Sequence, residues 1–205
     1  MSEMTQTVTG ATQPQSDDAS RITARDLRSV FWRSFTLQGS WNYERQQHMG
    51  YAFAMSPALK RIYQDPTELG RALQRHLVLF NTTPHLSTFI FGLSIAMEEE
   101  NQRNPEFNEE SINAIKTSLM GPLAGIGDSI FWGSLKVIAA GMGIYFAQQG
   151  SLLGPILALL VYNLPHLLCR WYGLKLSYRA GTTRLMRIYQ SGLMDRVTYI
   201  ASIVG

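Results

Sequence analysis

The stretch that decides the fold is residues 130–169, IFWGSLKVIAAGMGIYFAQQGSLLGPILALLVYNLPHLLC. Lys136 is its only charged residue. Two apolar runs, 130–147 and 152–169, lie on either side of the polar sequence Gln-Gln-Gly-Ser. A helix of 18 residues rises about 27 Å, which approaches the roughly 30 Å hydrocarbon core of a bilayer. We therefore predict a helix–turn–helix hairpin that inserts into a membrane.

Basic residues lie near both outer ends of this predicted hairpin. Lys136 stands near the first end, and five basic residues follow the second end: Arg170, Lys175, Arg179, Arg184 and Arg187. Basic residues next to membrane segments favour the cytoplasmic side. The pattern predicts that both outer ends lie in the cytoplasm and that the Gln-Gln-Gly-Ser turn lies at the opposite face.

A second stretch without charge, residues 77–97, has the sequence LVLFNTTPHLSTFIFGLSIAM. Only 16% of the 205 residues are charged, against about 25% in ordinary globular chains. The deficit is concentrated in residues 77–97 and 137–169, which contain no Asp, Glu, Lys or Arg. Residues 77–97 are long enough to span a bilayer, but polar residues and Pro84 lie near their start. Such an interruption predicts a broken or re-entrant helix whose backbone groups face a site rather than lipid.

The N-terminal part of the chain divides into a polar tail and an amphipathic region. Residues 1–20 are poor in apolar side chains and are predicted to be a disordered cytoplasmic tail. Thr23 and Asp26 form a capping-box pattern. Apolar residues then recur at helical spacing: Leu27, Val30, Phe31 and Phe35. The resulting basic amphipathic helix suits a membrane interface and a protein core equally well.

The glycine-rich sequence LMGPLAGIGDS, residues 119–129, has several interpretations. A nucleotide-binding loop is disfavoured because no Gly-Lys-Ser/Thr follows and the spacing matches neither nucleotide-binding pattern. Gly121 and Gly125 fit a close helix contact in a bilayer. The glycines and Pro122 also fit a tight re-entrant turn, and we predict a mixture of the two. Asp128 is either a functional carboxylate at membrane depth or the N-cap of a helix that starts near Ser129, and the two roles are compatible.

The composition gives little support for disulfides, metal sites or nucleic-acid binding. The single cysteine, Cys169, excludes an intramolecular disulfide framework and a cysteine-based zinc cluster. The 18 basic residues do not alternate with stacking aromatics, as they do in nucleic-acid-binding proteins. The histidines share no metal-ligand spacing: His48, His76, His85 and His166. We expect no metal, no cofactor, no nucleic-acid partner and no catalytic residues. The glutamates that follow residue 97 are predicted to form a solvated acidic segment.

A short sequence element occurs twice. Pro-His-Leu, four residues and then Phe-Gly-Leu span 84–93, and the same arrangement with Tyr-Gly-Leu spans 165–174. Internal duplication is common in transporters, although six matched positions are also compatible with coincidence.

Four blocks, in this order, resemble the IID component of mannose-type sugar phosphotransferase systems, and the resemblance covers about residues 23–205. They are LQGSWNYERQQHMGYAFAMSPALKRIY (37–63), FNTTPHLSTFIFGLSIAMEE (80–99), INAIKTSLMGPLAGIGDSIFWG (112–133) and GSLLGPILALLVYNLPHLLCRWYG (150–173). The resemblance implies a subunit of the bacterial inner membrane that pairs with a IIC subunit and multimerises. It also implies cytoplasmic IIA and IIB units that phosphorylate the imported hexose or amino sugar.

The resemblance also suggests which residues contact the sugar or gate its passage. Asn81 and Thr82 of the Asn-Thr-x-Pro element carry the amide and hydroxyl groups that sugars need. The hypothesis extends to Glu98, Glu99 and Asp128. A second group comes from the Gln-Gly-Ser-Trp-Asn block and comprises Gln38, Trp41, Asn42 and Glu44. The alternative is that these residues cap the proline break, form a solvated face or anchor the amphipathic region.

The sequence as a whole predicts an all-α integral membrane protein. It has N-terminal amphipathic helices, a broken or re-entrant helix and a helical hairpin, and residues 21–205 form one IID-type membrane domain. Family members continue beyond the position that matches Gly205, so we expect the chain to lack their C-terminal part. The alternative function is a membrane scaffold or receptor-like subunit that docks a bacteriocin or a phage component without transport of its own.

Overall fold

The computed structural model describes residues 21–190, with side chains described as far as Gly181. The predicted tail at 1–20 and the apolar run at 201–205 lie outside these residues. The described part is all-α, as predicted, and its seven α-helices are α1 (Ala24–Arg33), α2 (His48–Ile62), α3 (Pro66–His76), α4 (Ser87–Arg103), α5 (Glu110–Gly127), α6 (Lys136–Gln148) and α7 (Leu153–Gln190). A 3₁₀ turn, Ser34–Thr36, follows α1.

The described residues form two parts, which we call the head and the hairpin. The head comprises α1–α5 and α7 from Arg170 onward. Its core includes Tyr51, Met55, Leu59, Phe80, Ile90, Phe91 and Ile95. The hairpin comprises residues 128–169 and leaves most of its large apolar side chains exposed. Glu110–Gln148 and Leu153–Gly181 are long and apolar enough to cross a membrane, and only 11% of the most apolar window of each is buried.

The hairpin turns where the sequence predicts it. α6 ends at Gln148 and α7 begins at Leu153. Gly150 in the turn has a φ of 69°, a left-handed conformation that glycine adopts without steric cost. The two helices touch through glycines, because a Cβ at Gly154 would lie 2.6 Å from the carbonyl oxygen of Gly143.

The predicted re-entrant turn at 119–129 is wrong. These residues are helical, and a π-helical segment, Asp128–Leu135, joins α5 to α6 without a break. Asp128 has helical dihedral angles, φ −65° and ψ −42°, so it is not an N-cap. A segment without water must satisfy its backbone hydrogen bonds internally, which overrides the turn preference of glycine and proline. Gly121 and Gly125 face open space and make no close helix contact within the described residues.

The predicted break in the second uncharged stretch does form. α3 ends at His76, residues 77–86 are a loop, and α4 begins at Ser87. α4 does not face lipid, because its residues Ile90, Phe91 and Ile95 lie in the head core. The prediction that the following glutamates are solvated is wrong for two of them, since α4 continues to Arg103 and buries Glu98 and Glu99.

The amphipathic helix α1 packs on the protein core, which is one of the two alternatives that its pattern allowed. Thr23 and Asp26 form the predicted capping box. Leu27, Val30 and Phe31 are buried, whereas Trp32 remains 63% exposed.

α1 is held to α7 by Arg170, a residue that the sequence pattern placed in the basic flank of the hairpin. Arg170 is only 2% exposed, and its Nη2 donates to the carbonyl oxygen of Ser34 at 2.6 Å. Its guanidinium also lies 4.3 Å from the ring centre of Phe35. Because Ser34 caps the C-terminus of α1, the cation faces the negative end of that helix dipole.

α4 and α7 run parallel and make the closest helix contact of the head. A Cβ at Gly92 would overlap the carbonyl oxygen of Leu174, and a Cβ at Gly173 would lie 2.5 Å from the ring of Phe89. These two glycines belong to the two copies of the repeated element, which therefore face each other. The copies differ in local structure, because Pro84 precedes α4 whereas Pro165 lies inside α7.

Glu98 is the centre of a buried charge cluster. Its carboxylate accepts hydrogen bonds from Arg75 Nε at 2.9 Å, His76 Nε2 at 2.8 Å and the Tyr63 hydroxyl at 2.7 Å. Lys116 is also fully buried and donates to the carbonyl oxygen of Arg75 at 3.2 Å. The cluster joins α3, α4, α5 and the end of α2, so removal of the carboxylate would leave buried cations without their anion.

Glu99 makes a second set of contacts on the other side of α4. Its carboxylate accepts from the backbone N–H of Ile22 and from the hydroxyl of Tyr178, each at 2.8 Å. Ile22 precedes α1 and Tyr178 lies on α7. Two adjacent carboxylates therefore tie α3, α7, the end of α2 and the start of the described chain to α4.

The protonation of this cluster follows from its partners. Burial by itself raises the pKa of Glu98, but hydrogen bonds and charge from His76 and Arg75 outweigh burial and lower that pKa to about 2. Burial lowers the pKa of His76. Its Nδ1 has no hydrogen-bond partner among the described residues, so a proton there would be buried and unpaired.

The close contact of α4 with α7 predicts that Gly92 tolerates no side chain. We expect Gly92→Ala to destabilise the protein by about 1–3 kcal/mol, because backbone and side chains of α7 must move. Gly70→Ala is the matched control, since Gly70 lies in α3 and an added methyl group there would have nothing within 4 Å. That substitution should stabilise by up to about 1 kcal/mol. Thermal unfolding of the purified protein in detergent measures both, and equal stability of the two variants would contradict the prediction.

The low pKa of Glu98 predicts loss of stability in acid. The ordinary pKa of this group is 4.5 and its value in the folded protein is about 2, so the unfolded chain binds the proton first as the pH falls. The contribution, on the order of 3 kcal/mol, is complete above pH 4.5 and is lost between pH 4.5 and about 2. Glu98→Gln should lower the unfolding temperature at neutral pH and flatten this acid dependence. The exposed Glu106→Gln should leave both unchanged.

Candidate functional site

Two loops of the head meet at one surface beside α5. The loop that follows α1, residues 37–47, packs on loop 77–86. The side chain of Gln47 donates to the carbonyl oxygen of Thr82 at 3.0 Å and accepts from the Thr82 N–H at 3.1 Å. The backbone N–H of Gln47 donates to Phe80 O at 2.8 Å. These contacts bring the two groups of predicted site residues, near Trp41 and near Asn81, into one region.

Loop 37–47 owes its shape to Asn42. The Asn42 side-chain oxygen accepts from the N–H groups of Glu44 and Arg45, at 3.1 and 2.9 Å. Its backbone pairs with that of Gln46, which has a φ of 58°. Asn42 therefore builds the loop, whereas Trp41 is 43% exposed and Glu44 also faces outward. Gln38 is exposed as well.

Asn81 and Thr82 lie against α5 and differ in exposure. The Asn81 side chain is exposed, and its backbone N–H points to the sulfur of Met120 at 3.1 Å. Thr82 is 3% exposed and its hydroxyl donates to the carbonyl oxygen of Met120 at 3.0 Å. Of the two predicted residues, Asn81 presents its side chain to the surface and Thr82 holds the loop on the helix.

Asp128 lies farther along the same helical rod. A Cβ at Gly127 would overlap Thr83, so the loop touches the helix backbone directly before Asp128. Asp128 is exposed. It follows Met120 by eight residues, or about 12 Å along the axis. Gly121 and Gly125 are exposed and lie on the same face of the helix as Asp128. On this face no side chain covers the helix backbone at these two positions between the level of Asn81 and the Asp128 carboxylate.

The structure does not bring Glu98 and Glu99 to this surface. They lie about 17 Å along α4 from its first residue, and their carboxylates face the head interior. The carboxylates accept hydrogen bonds from Arg75, His76 and Tyr178 inside the head, so they are already bound within the fold.

Sequence reasoning left out one buried residue that the structure places beside this surface. His85 is 3% exposed, and its Nε2 lies 2.8 Å from the hydroxyl oxygen of Tyr162. Its ring stacks on Phe131 of the π-helical segment and lies 4.4 Å from the ring of His166. The repeated Pro-His-Leu element was the sequence signal for this contact.

The side chains at this surface can form hydrogen bonds with a ligand. Among the side chains that the structure describes, no three His, Cys, Asp or Glu residues come close enough to hold a metal ion. Asn81 offers an amide, Asp128 a carboxylate, and the glycines between them leave the backbone accessible. A neutral polyhydroxylated ligand is the chemical class that such groups suit.

The sequence is similar to known proteins over nearly its whole length. The family model "PTS system mannose/fructose/sorbose family IID component" matches residues 21–205. The mannose-specific EIID component of Escherichia coli O6:H1 (strain CFT073) is 41% identical over 206 residues, which cover 100% of this chain and 70% of that protein. The sorbose-specific EIID component of Klebsiella pneumoniae is 40% identical, covering 90% of this chain and 67% of that protein.

A solved structure agrees with the sequence comparison. The chain superimposes with a TM-score of 0.83 and 41% identity on a chain of the cryo-EM structure of the mannose transporter ManYZ in complex with microcin E492. The match covers 90% of this chain and 68% of that one. With its helical head and its two apolar helices, this chain belongs to the IID components of the mannose/fructose/sorbose family of sugar phosphotransferase systems.

Proposed function

We propose that this IID subunit forms a sugar translocation path with a IIC subunit in the bacterial inner membrane. The sugar, a hexose or an amino sugar, passes to cytoplasmic IIA and IIB units that phosphorylate it, and the assembly is a multimer. The observation that carries the proposal is the exposed surface bounded by Asn81 and Asp128 at the base of the hairpin.

The chemistry of this surface supports a sugar ligand. An amide donates and accepts, and a carboxylate accepts hydroxyl protons, so Asn81 and Asp128 can each bind a sugar hydroxyl at its own end of the exposed surface. The exposed glycines allow the sugar to approach the helix backbone closely. Trp41, Gln38 and Glu44 on the neighbouring loop form the second group of proposed contacts, with the indole covering an apolar sugar face.

The buried members of the predicted set have a supporting role in this proposal. Thr82 and Asn42 shape the two loops through hydrogen bonds to the backbone. Glu98 and Glu99 hold the head together behind them. Their variants should therefore reduce the amount of assembled complex before they change the affinity for sugar.

Cation–aromatic pairs at the base of the hairpin support its orientation. Lys136 lies 4.2 Å from the Trp132 ring centre, and Lys175 lies 4.2 Å from that of Trp171. Tryptophan with lysine is typical of the membrane–water interface, and basic residues favour the cytoplasmic side. We infer that the head and the N-terminus lie in the cytoplasm, where phosphorylation traps the sugar.

A second candidate function is the docking of a bacteriocin. It is favoured by the similarity to a transporter that was solved as a complex with microcin E492. Under this alternative the exposed apolar hairpin binds a peptide and no sugar contact is needed. Variants of Asn81 that abolish uptake but retain bacteriocin sensitivity would separate the two functions.

The leading proposal predicts that Asn81→Ala and Asp128→Asn impair sugar uptake. Asn81→Ala removes the amide, and Asp128→Asn removes the negative charge and replaces one acceptor oxygen with a donor, so we expect the KM for uptake to rise about tenfold or more. The measurement uses labelled sugar in cells that contain the IIC, IIA and IIB partners and no other transporter for that sugar. Gln149→Ala, which removes an exposed amide from the hairpin turn, is the control. Unchanged KM and Vmax in both variants would overturn the proposal.

A further inference from the structure

His85 joins three elements that otherwise belong to different parts of the molecule. Its Nδ1 lies 3.0 Å from the hydroxyl oxygen of Thr83 in its own loop, and its Nε2 lies 2.8 Å from that of Tyr162 on α7. Its ring stacks on Phe131, with centroids 4.2 Å apart and planes 10° from parallel. Loop 77–86, α7 and the π-helical segment therefore meet on one imidazole.

The loop is attached to its two helical neighbours in different ways. It is fixed to α5 through the helix backbone, because Thr82 donates to Met120 O and Thr83 lies against Gly127. On the α7 side, the side chain of His85 forms one hydrogen bond with Tyr162 and a ring contact with His166. A link of this kind can break and reform without unfolding of the loop.

The π-helical segment supplies the third contact of His85, through the ring of Phe131. Phe131 is 3% exposed although most of its neighbours in the hairpin are exposed. A π-helical turn is wider than an α-helical turn and is found frequently at functional sites. The stacking of Phe131 on His85 connects this segment to the loop that carries Asn81.

We propose that His85 is a positioning residue of the sugar site. Its hydrogen bond to Tyr162 sets the place of the Asn81 loop relative to the α7 side of the hairpin, so that movement of the hairpin is transmitted to Asn81. The inference rests on the proposed function, in which Asn81 contacts the sugar. His85 is buried and acts through Asn81 rather than by contact with the sugar.

The two hydrogen bonds of the His85 imidazole can be tested separately by substitution, because each ring nitrogen has its own partner. Neutral histidine donates from one nitrogen and accepts at the other, and the hydroxyls of Thr83 and Tyr162 serve in either role. An asparagine amide reproduces the position of Nδ1, and a glutamine amide reproduces that of Nε2. His85→Asn therefore keeps the bond to Thr83 and loses the bond to Tyr162, whereas His85→Gln keeps the bond to Tyr162.

The experiment measures KM and Vmax of sugar uptake in the complete complex, normalised to the amount of complex in the membrane. Tyr162→Phe and His85→Asn should each raise KM about threefold to tenfold, the scale of one lost hydrogen bond. His85→Gln should stay near the parent. The matched control is Tyr145→Phe, since Tyr145 lies on α6 and is 60% exposed. Its KM should not change.

The decisive comparison combines each variant with Asn81→Ala. If Tyr162 acts through Asn81, the double variant has the same KM as Asn81→Ala alone. If Tyr162→Phe acts independently of Asn81, its effect on KM multiplies the effect of Asn81→Ala. A multiplied effect, or an unchanged KM in Tyr162→Phe, overturns the positioning role and leaves the proposed function intact. An unchanged KM in Asn81→Ala overturns the positioning role, and the proposed function falls with it when Asp128→Asn also leaves KM and Vmax unchanged. If Tyr162→Phe fails to assemble, the contrast between His85→Asn and His85→Gln decides, and equal KM values overturn the inference.

Discussion

Two neighbouring carboxylates, buried at the end of α4, are the interaction on which the head depends. Taking a carboxylate out of water costs several kcal/mol unless charges and hydrogen bonds replace the solvent. Glu98 receives those bonds from α3 and from the end of α2, and Glu99 receives them from the start of the described chain and from α7. The cost of burial is offset only when all these elements are in place, so the cluster selects a single arrangement of the helices.

That arrangement places a head with a buried core beside a hairpin whose large apolar side chains are mostly exposed. The parallel contact of α4 with α7 at Gly92 and Gly173 continues the head into the base of the hairpin. Loop 77–86 lies at this junction, and it carries the exposed Asn81 on one side and the buried His85 on the other. The surface that we propose for the sugar therefore lies where the packed head meets the exposed hairpin.

Local chemistry made some features predictable. The capping box of Thr23 and Asp26, the turn around Gly150 and the break before α4 depend on a few adjacent residues, and all three were predicted. The turn predicted at 119–129 was wrong because glycine and proline preferences apply to chains that water can solvate. In an apolar segment the backbone keeps its internal hydrogen bonds, so the helix continues through Pro122.

The sequence by itself determined the all-α class, the hairpin, the polar interruption and the resemblance to the IID family, because these follow from local composition and spacing. Only the tertiary structure decided that Glu98 and Glu99 are buried, that loop 37–47 meets Asn81, and that His85 bonds to Tyr162. The last two contacts join residues that are 35 or more positions apart. Charge and hydropathy along the chain do not specify which distant partners will neutralise a buried group, and only packing brings those partners together.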